Sequence, residues 1–256
     1  MKTLRLPFDN AQGRRSGRSP KVCILRADGT NCDVELFYAF KKAGGDPEYV
    51  NVNQLRDKSK SMQDFQILAL PGGFAYGDDI ASGKIWAVEL VSFFKDELEK
   101  FHKKDGIIVG ICNGFQVLIS TGLLPFGNIG KMDATLLPNN SGHFECRWVR
   151  VRDEKSKRIF WMSINHGEGK FFANNETIKA IETKGLVIFR YIDNPNGSIN
   201  DIAGVTDPTG RVIGLMPHPE KFMDLTQYPN WRRDKITKPH GSFIFEEMIK
   251  YAKENL

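Results

Sequence analysis

The stretch Ile107-Ile108-Val109-Gly110-Ile111-Cys112-Asn113-Gly114-Phe115-Gln116 decides the fold. Residues 107–111 are a short, unbroken apolar run, the pattern of a strand covered on both faces. Helical spacing takes over at about Asn113 and continues to Ser120, with no turn residues in between. Strand therefore passes directly into helix, and Cys112 sits at the junction. This is the setting of a nucleophile elbow, in which the reactive side chain stands on a sharp, strained turn. Side chains two positions either side of it would collide, and Gly110 and Gly114 occupy those positions. The helix N-terminus also favours a thiolate over a thiol. A buried structural cysteine is the commoner fate of this residue type. The two glycines and the abrupt change of period favour a nucleophile.

The same alternation extends outward. Upstream, residues 22–25, 49–52 and 67–70 read as strands. Residues 33–43 read as a helix stopped by Gly44-Gly45. Residues 85–103 read as an amphipathic helix with Leu90, Phe93, Phe94, Leu98 and Phe101 on one side. Strands alternating with helices predict an α/β fold, a mostly parallel sheet flanked by helices. Downstream, residues 144–151, 187–191, 202–206 and 211–216 read as strands, with Asp207-Pro208-Thr209-Gly210 as a hairpin turn. The second half thus adds an antiparallel elaboration, and residues 243–252 close the chain as a helix.

Composition excludes several classes. With 256 residues, 41% hydrophobic and 26% charged, the chain suits a globular enzyme and not a collagen, coiled coil or wholly disordered protein. Its net charge of +5 sits at the N-terminus, where Lys2, Arg5, Arg14, Arg15, Arg18 and Lys21 face only Asp9. Residues 1–20 read as a disordered basic tail and residues 22–256 as one domain. A basic tail is not a basic patch on folded elements, so no nucleic-acid partner is expected. The four cysteines form no CxxC pair and no zinc spacing, so no metal site and a reducing compartment are expected. Cys23 and Cys146 read as packing residues, whereas Cys32 follows a strand end and could approach the site. The long uncharged stretch 106–130 is broken by glycines, Pro125 and polar residues, and no secretory apolar region opens the chain. No membrane association and a cytoplasmic location are the expectation. GxxxxGK[ST] and GxGxxG are absent, so no nucleotide site is expected in this chain.

A thiol nucleophile needs a base. Among the five histidines, His102 lies in a charged helix and reads as solvated. His218 stands in Met216-Pro217-His218-Pro219-Glu220 at the end of an apolar strand, its backbone held by two prolines. In extended chain Glu220 points the same way, where a carboxylate can hold the imidazole tautomer. A structural histidine in a proline-rich turn is the alternative for this motif alone. An oxyanion hole needs two donors. The Asn113 N–H is one candidate, and the Gly73 N–H, in the turn Pro71-Gly72-Gly73-Phe74 after a strand, is the other.

Pro71-Gly72-Gly73, Gly110-Ile111-Cys112-Asn113-Gly114 and His218-Pro219-Glu220 together resemble the class I (triad) glutamine amidotransferases. ADGTNCD (27–33), FAYGDD (74–79), SGHFECRW (141–148), NHGEGK (165–170), RYIDNPNG (190–197) and GLMPHPE (214–220) narrow the resemblance to glutaminase subunits of the purine pathway. It runs from Val22 to the last helix, and His143 departs from it where Arg or Lys is expected. The resemblance implies a flavodoxin-like fold and a Cys112-His218-Glu220 triad that hydrolyses L-glutamine. It implies an oxyanion hole from Gly73 and Asn113, and glutamine binding by Phe74, Gln116, Asn165, Gly167 and Glu168. It further implies no cofactor in this chain. Its partners would be a synthetase subunit and a small accessory subunit. The synthetase would use ATP and Mg²⁺ to convert formylglycinamide ribonucleotide to formylglycinamidine ribonucleotide. Two other readings compete: a stand-alone α/β thiol hydrolase of the peptidase or deglycase type, and a non-catalytic subunit. The latter should have lost a triad member, and none is lost.

Overall fold

The structure, a computed structural model, describes residues 18–256. The first half contains β1 (Lys21–Arg26), α1 (Asp33–Lys42), β2 (Asp46–Asn51), α2 (Val52–Arg56), β3 (Ile67–Leu70), α3 (Lys84–Lys103), β4 (Ile107–Ile111) and α4 (Asn113–Thr121). The second contains β5 (Thr135–Leu137), β6 (Glu145–Asp153), β7 (Ile159–His166), β8 (Lys170–Phe172), α5 (Asn175–Thr183), β9 (Val187–Tyr191), β10 (Ile202–Thr206), β11 (Val212–Leu215) and α6 (His240–Asn255).

Nine strands form one sheet in the order β2-β1-β3-β4-β11-β10-β9-β6-β7. From β2 to β11 the pairings are parallel, and from β11 to β7 they are antiparallel. β5 and β8 pair separately. The central strands ILAL and IIVGI are buried at every position, as strands covered on both faces must be. α1 packs on α6 and α3 on α4. Phe40 of α1 meets Phe245 of α6 edge to face, with centroids 5.0 Å apart. The strand order reverses between β1 and β3, so a crevice opens beyond their C-terminal ends, where α/β sites form.

The parallel half and the α/β class match the sequence expectation. Differences have local causes. Phe93, read as buried on α3, is 66% exposed, with the Arg56 guanidinium 5.0 Å over its ring. α2, β5, β7, β8 and α5 escaped the reading. β7 did carry a signal, since Phe160, Met162, Ile164 and His166 alternate as its buried face. Order starts earlier than Val22, since Pro20 is buried and its carbonyl accepts from Asp46 N at 2.8 Å. The rest of the basic tail, residues 1–17, lies outside the described residues. Cys23 is buried, but Cys146 is exposed and is not a packing residue. No helix among the described residues is long and apolar enough to cross a membrane.

His102 is likewise not a solvated residue. Its Nε2 lies 3.0 Å from Asp207 Oδ2, and Asp207 is 1% exposed. Asp207 also accepts from Thr209 Oγ1, Arg211 N and Val212 N, which closes the β10–β11 turn. Burial alone would raise its carboxyl pKa, but the bonds from His102, Val212 N and Thr209 hold it below the usual range. A depressed carboxylate stabilises the fold above its unfolded pKa, and that contribution is lost as pH falls below about 4. Asp207→Ala is therefore expected to cost about 2–4 kcal/mol at neutral pH in urea unfolding. The gap to wild type should narrow at acid pH. A constant gap would assign the loss to packing instead.

Candidate active site

Cys112 joins β4 to α4 with φ 52° and ψ −108°, a strained conformation that persists only when its surroundings enforce it. Cys112 N donates to Leu215 O of β11 at 2.8 Å, and Cys112 O accepts from Gln116 N at 3.0 Å to begin the helix. A Cβ on Gly110 would run into the Gly114 carbonyl, and one on Gly114 into the Leu70 carbonyl. The approach of α4 to the sheet thus requires both glycines.

Three loops converge on this thiol. The first follows β3. A Cβ on Gly72 would lie 2.8 Å from His218 Cε1 and 3.4 Å from both Cys112 Cβ and Cys32 Sγ. Two thiols and an imidazole therefore gather around one glycine. Asn31 N donates to Gly72 O at 3.4 Å and Phe74 N to Gly29 O at 3.0 Å. The Gly73 N–H takes no part in that bridge. The Asn113 N–H, in the first turn of α4, has no intrahelical acceptor.

The second loop follows β11. His218 N donates to Ser163 O at 2.8 Å. His218 Nδ1 lies 2.5 Å from Glu220 Oε1, and both side chains are 1% exposed. The pair forms across a short 3-10 turn, Pro219–Lys221, and not along extended chain as the sequence suggested. Proline opens such a turn readily because its φ is already set. Nδ1–H donating to the carboxylate leaves Nε2 as the lone-pair nitrogen. That Nε2 is buried without a partner.

The third is the segment from β7 to β8. Cys112 Sγ donates to Asn165 O at 3.4 Å. Gln116 Nε2 donates to Glu168 O at 2.6 Å, while Gln116 Oε1 accepts from Asn113 Nδ2 at 3.0 Å. Asn113 Nδ2 also donates to Asp78 Oδ1 at 2.9 Å, and Glu168 Oε2 accepts from Ser82 N at 3.3 Å. Phe74, 45% exposed, packs against Phe144 with centroids 6.2 Å apart, and Gly167 lies beside Phe144. All ten residues singled out from the sequence therefore lie at the elbow, on α4, in the loops after β3 and β11, or between the end of β7 and the start of β8. The reading missed Asn139. Its Oδ1 accepts from Gly169 N at 3.1 Å and lies 3.0 Å from His166 Nδ1, while its Nδ2 donates to the carbonyls of His143 and His166. No motif marks it; only the folded loop does.

Around the nucleophile, both thiols and His166 rest uncharged. Burial pushes the Cys112 thiol far above its ordinary range, nearby Cys32 and Glu220 add to this, and the Asn113 N–H offsets only part. A thiolate favoured by the helix terminus, the sequence expectation, is outweighed by desolvation. Burial, then Glu220, pushes Cys32 up to about 12. Burial, then its electrostatic interaction with nearby His218, holds His166 down to about 4, so it is neutral. Cys32, His218 and Glu220 offer donor atoms within 4.8 Å of one another. His218 Nδ1 is already engaged by Glu220, the arrangement that acid–base chemistry needs.

This constellation defines a thiol acyl-transfer site on an α/β sheet. A family model for the CobB/CobQ-like glutamine amidotransferase domain matches residues 19–252, and the chain belongs to that family. It is 39% identical over 250 residues to phosphoribosylformylglycinamidine synthase subunit PurQ of Dehalococcoides mccartyi, covering 91% of this chain and 98% of that one. It is 40% identical over 220 residues to the protein of the same name from Picrophilus torridus, covering 79% and 87%. Among solved structures, a chain of PurLQS from Thermotoga maritima superposes with a TM-score of 0.73 at 29% identity, covering 91% and 99%.

Gly72→Ala should leave the fold intact, because Gly72 is not among the residues with positive φ, yet move the imidazole away from the thiol. Alkylation of Cys112 by iodoacetamide is expected to slow by about tenfold or more, equivalent to roughly 1.4 kcal/mol, at unchanged circular dichroism. An unchanged rate would separate His218 from thiol activation.

Proposed function

We propose that this chain is the glutaminase subunit of a phosphoribosylformylglycinamidine synthase, acting in purine (IMP) biosynthesis. It hydrolyses L-glutamine and passes the ammonia to a synthetase subunit that converts formylglycinamide ribonucleotide to formylglycinamidine ribonucleotide. The observation that carries the chemistry is the elbow thiol of Cys112 beside the buried His218–Glu220 pair. Likeness to PurQ proteins over about nine-tenths of the chain supports the substrate.

On this reading Cys112 Sγ attacks the side-chain amide carbon of glutamine while His218 Nε2 takes the thiol proton. Glu220 holds the imidazolium that forms. The Gly73 and Asn113 N–H groups receive the oxyanion. The C–N bond then breaks, His218 returns its proton to the departing ammonia, and water hydrolyses the γ-glutamyl thioester to glutamate. Gln116, Asn165, Gly167 and Glu168 hold the α-amino-acid end, with Phe74 at the rim. ATP and Mg²⁺ belong to the synthetase subunit, and a small accessory subunit completes the complex.

Docking is expected to switch the site on. The Cys112 thiol donates to the Asn165 carbonyl while His218 Nε2 has no partner, so the thiol–imidazole bond is still to be made. Glutamate release by the chain should rise about tenfold or more when the synthetase and its nucleotide ligands are added, roughly 1.4 kcal/mol of transition-state stabilisation. Equal rates would favour a stand-alone thiol hydrolase.

Cys112→Ala should abolish glutamine-dependent product formation in the assembled complex and leave ammonia-dependent formation intact. Near wild-type use of glutamine by this variant would remove Cys112 from the chemistry.

A further inference from the structure

β6 and β7 form a hairpin in which Cys146 stands directly opposite Asn165. Strand alternation puts Cys146 and Trp148 on the same face as Trp161, Ser163 and Asn165. That face is covered by the chain that carries the base. Trp148 meets Phe222 and Tyr228 edge to face at 5.3 and 5.0 Å, and Ser163 O accepts from His218 N.

Cys146 is exposed, so core packing does not account for it. Its Sγ donates to Asn165 Oδ1 at 3.0 Å. The other end of that carboxamide, Nδ2, is buried with no partner. The backbone carbonyl of the same residue holds the Cys112 thiol. A carboxamide has an acceptor end and a donor end, and a neighbour that takes one end fixes what the other presents. A thiol donates a hydrogen bond but accepts one only weakly, so Cys146 favours Oδ1 on its own side.

We propose that Cys146 is a positioning residue for the substrate. Its thiol fixes the orientation of the Asn165 carboxamide so that Nδ2 is offered as a donor to the α-carboxylate of glutamine. The flipped amide would offer a carbonyl oxygen to an anion, which repels it. This inference rests on the glutaminase reading above and names the group that one of its binding residues takes.

The test is a set of glutamine saturation curves on the complex with the synthetase. The variants are Cys146→Ala, Cys146→Ser, Asn165→Ala and the Cys146→Ala/Asn165→Ala double mutant. Cys146→Ala should raise the KM for glutamine about fivefold, the worth of one neutral hydrogen bond. Its kcat should stay within about twofold of wild type, since the contact serves binding and not the chemical step. Cys146→Ser keeps a donor and should restore the wild-type KM. In the Asn165→Ala background, loss of Cys146 should add nothing. Ammonia-dependent activity should be the same in all variants. The proposal fails if Cys146→Ala has the wild-type KM, or if serine is as poor as alanine. It also fails if the effect survives without the Asn165 side chain, or if ammonia-dependent activity falls with it. A wild-type complex that uses ammonia but not glutamine would remove the reading on which the proposal rests, and the proposal with it.

Discussion

The close approach of α4 to β3 and β4 is the constraint on which the site depends. Cys112 can stand at φ 52° only because Gly110 and Gly114 admit the helix backbone where any side chain would collide. A strained residue of this kind costs on the order of 1–3 kcal/mol. The burial of every residue in β3 and β4 offsets it. The reward is positional. The thiol projects over the C-terminal end of the sheet, beside the first-turn amides of α4 and the glycine loop after β3. Rigid elements hold all of these in place.

Charge is introduced into this site only when it is needed. Burying an unpaired ion is expensive. The nucleophile and its neighbour Cys32 are held as thiols, and His166 is held neutral. The buried His218–Glu220 contact keeps a carboxylate beside the imidazole, ready to compensate the charge that forms when the imidazole takes a proton. On the proposed mechanism a proton leaving Cys112 passes to Nε2 of His218, and the same atom returns it to the leaving ammonia.

How much of this was legible follows from distance along the chain. The elbow, the parallel strands and the His218–Pro219–Glu220 motif are local patterns of period or spacing, and they survived folding almost unchanged. The role of Asn139 is non-local. It holds His166 and Gly169 across roughly thirty residues of chain, and an asparagine in a loop gives no hint of that. Cys32 comes to Gly72 through a loop bridge between β1 and β3 that no short motif encodes. His102 and Cys146 were misread for the same reason. The charged helix around His102 hides its contact with Asp207. The alternation around Cys146 suggested a buried face where the structure has a hairpin edge.

The division of the sheet also divides the chemistry. On the proposed mechanism the parallel half supplies the nucleophile and both oxyanion donors, all on backbone fixed by β3, β4 and α4. The antiparallel side supplies what must be brought to them. β11 leads to His218, and the β6–β7 hairpin presents Ser163, which anchors His218, and Asn165, which holds the resting thiol proton. The two sides meet at the β4–β11 pairing and across the site itself. β7 is an edge strand of the sheet, yet its end is tied to the rest of the site by Asn139, which bonds His166 O and Gly169 N, and by the bridge from Ser163 to His218. Cys112 is held between the two sides by the elbow, with its thiol on the Asn165 carbonyl. On the proposed mechanism the thiol must exchange one acceptor for another, from a carbonyl that cannot take its proton to an imidazole that can. Both acceptors stand on the antiparallel side, so rigidity at the elbow leaves the choice between them to the strands that carry Asn165 and His218.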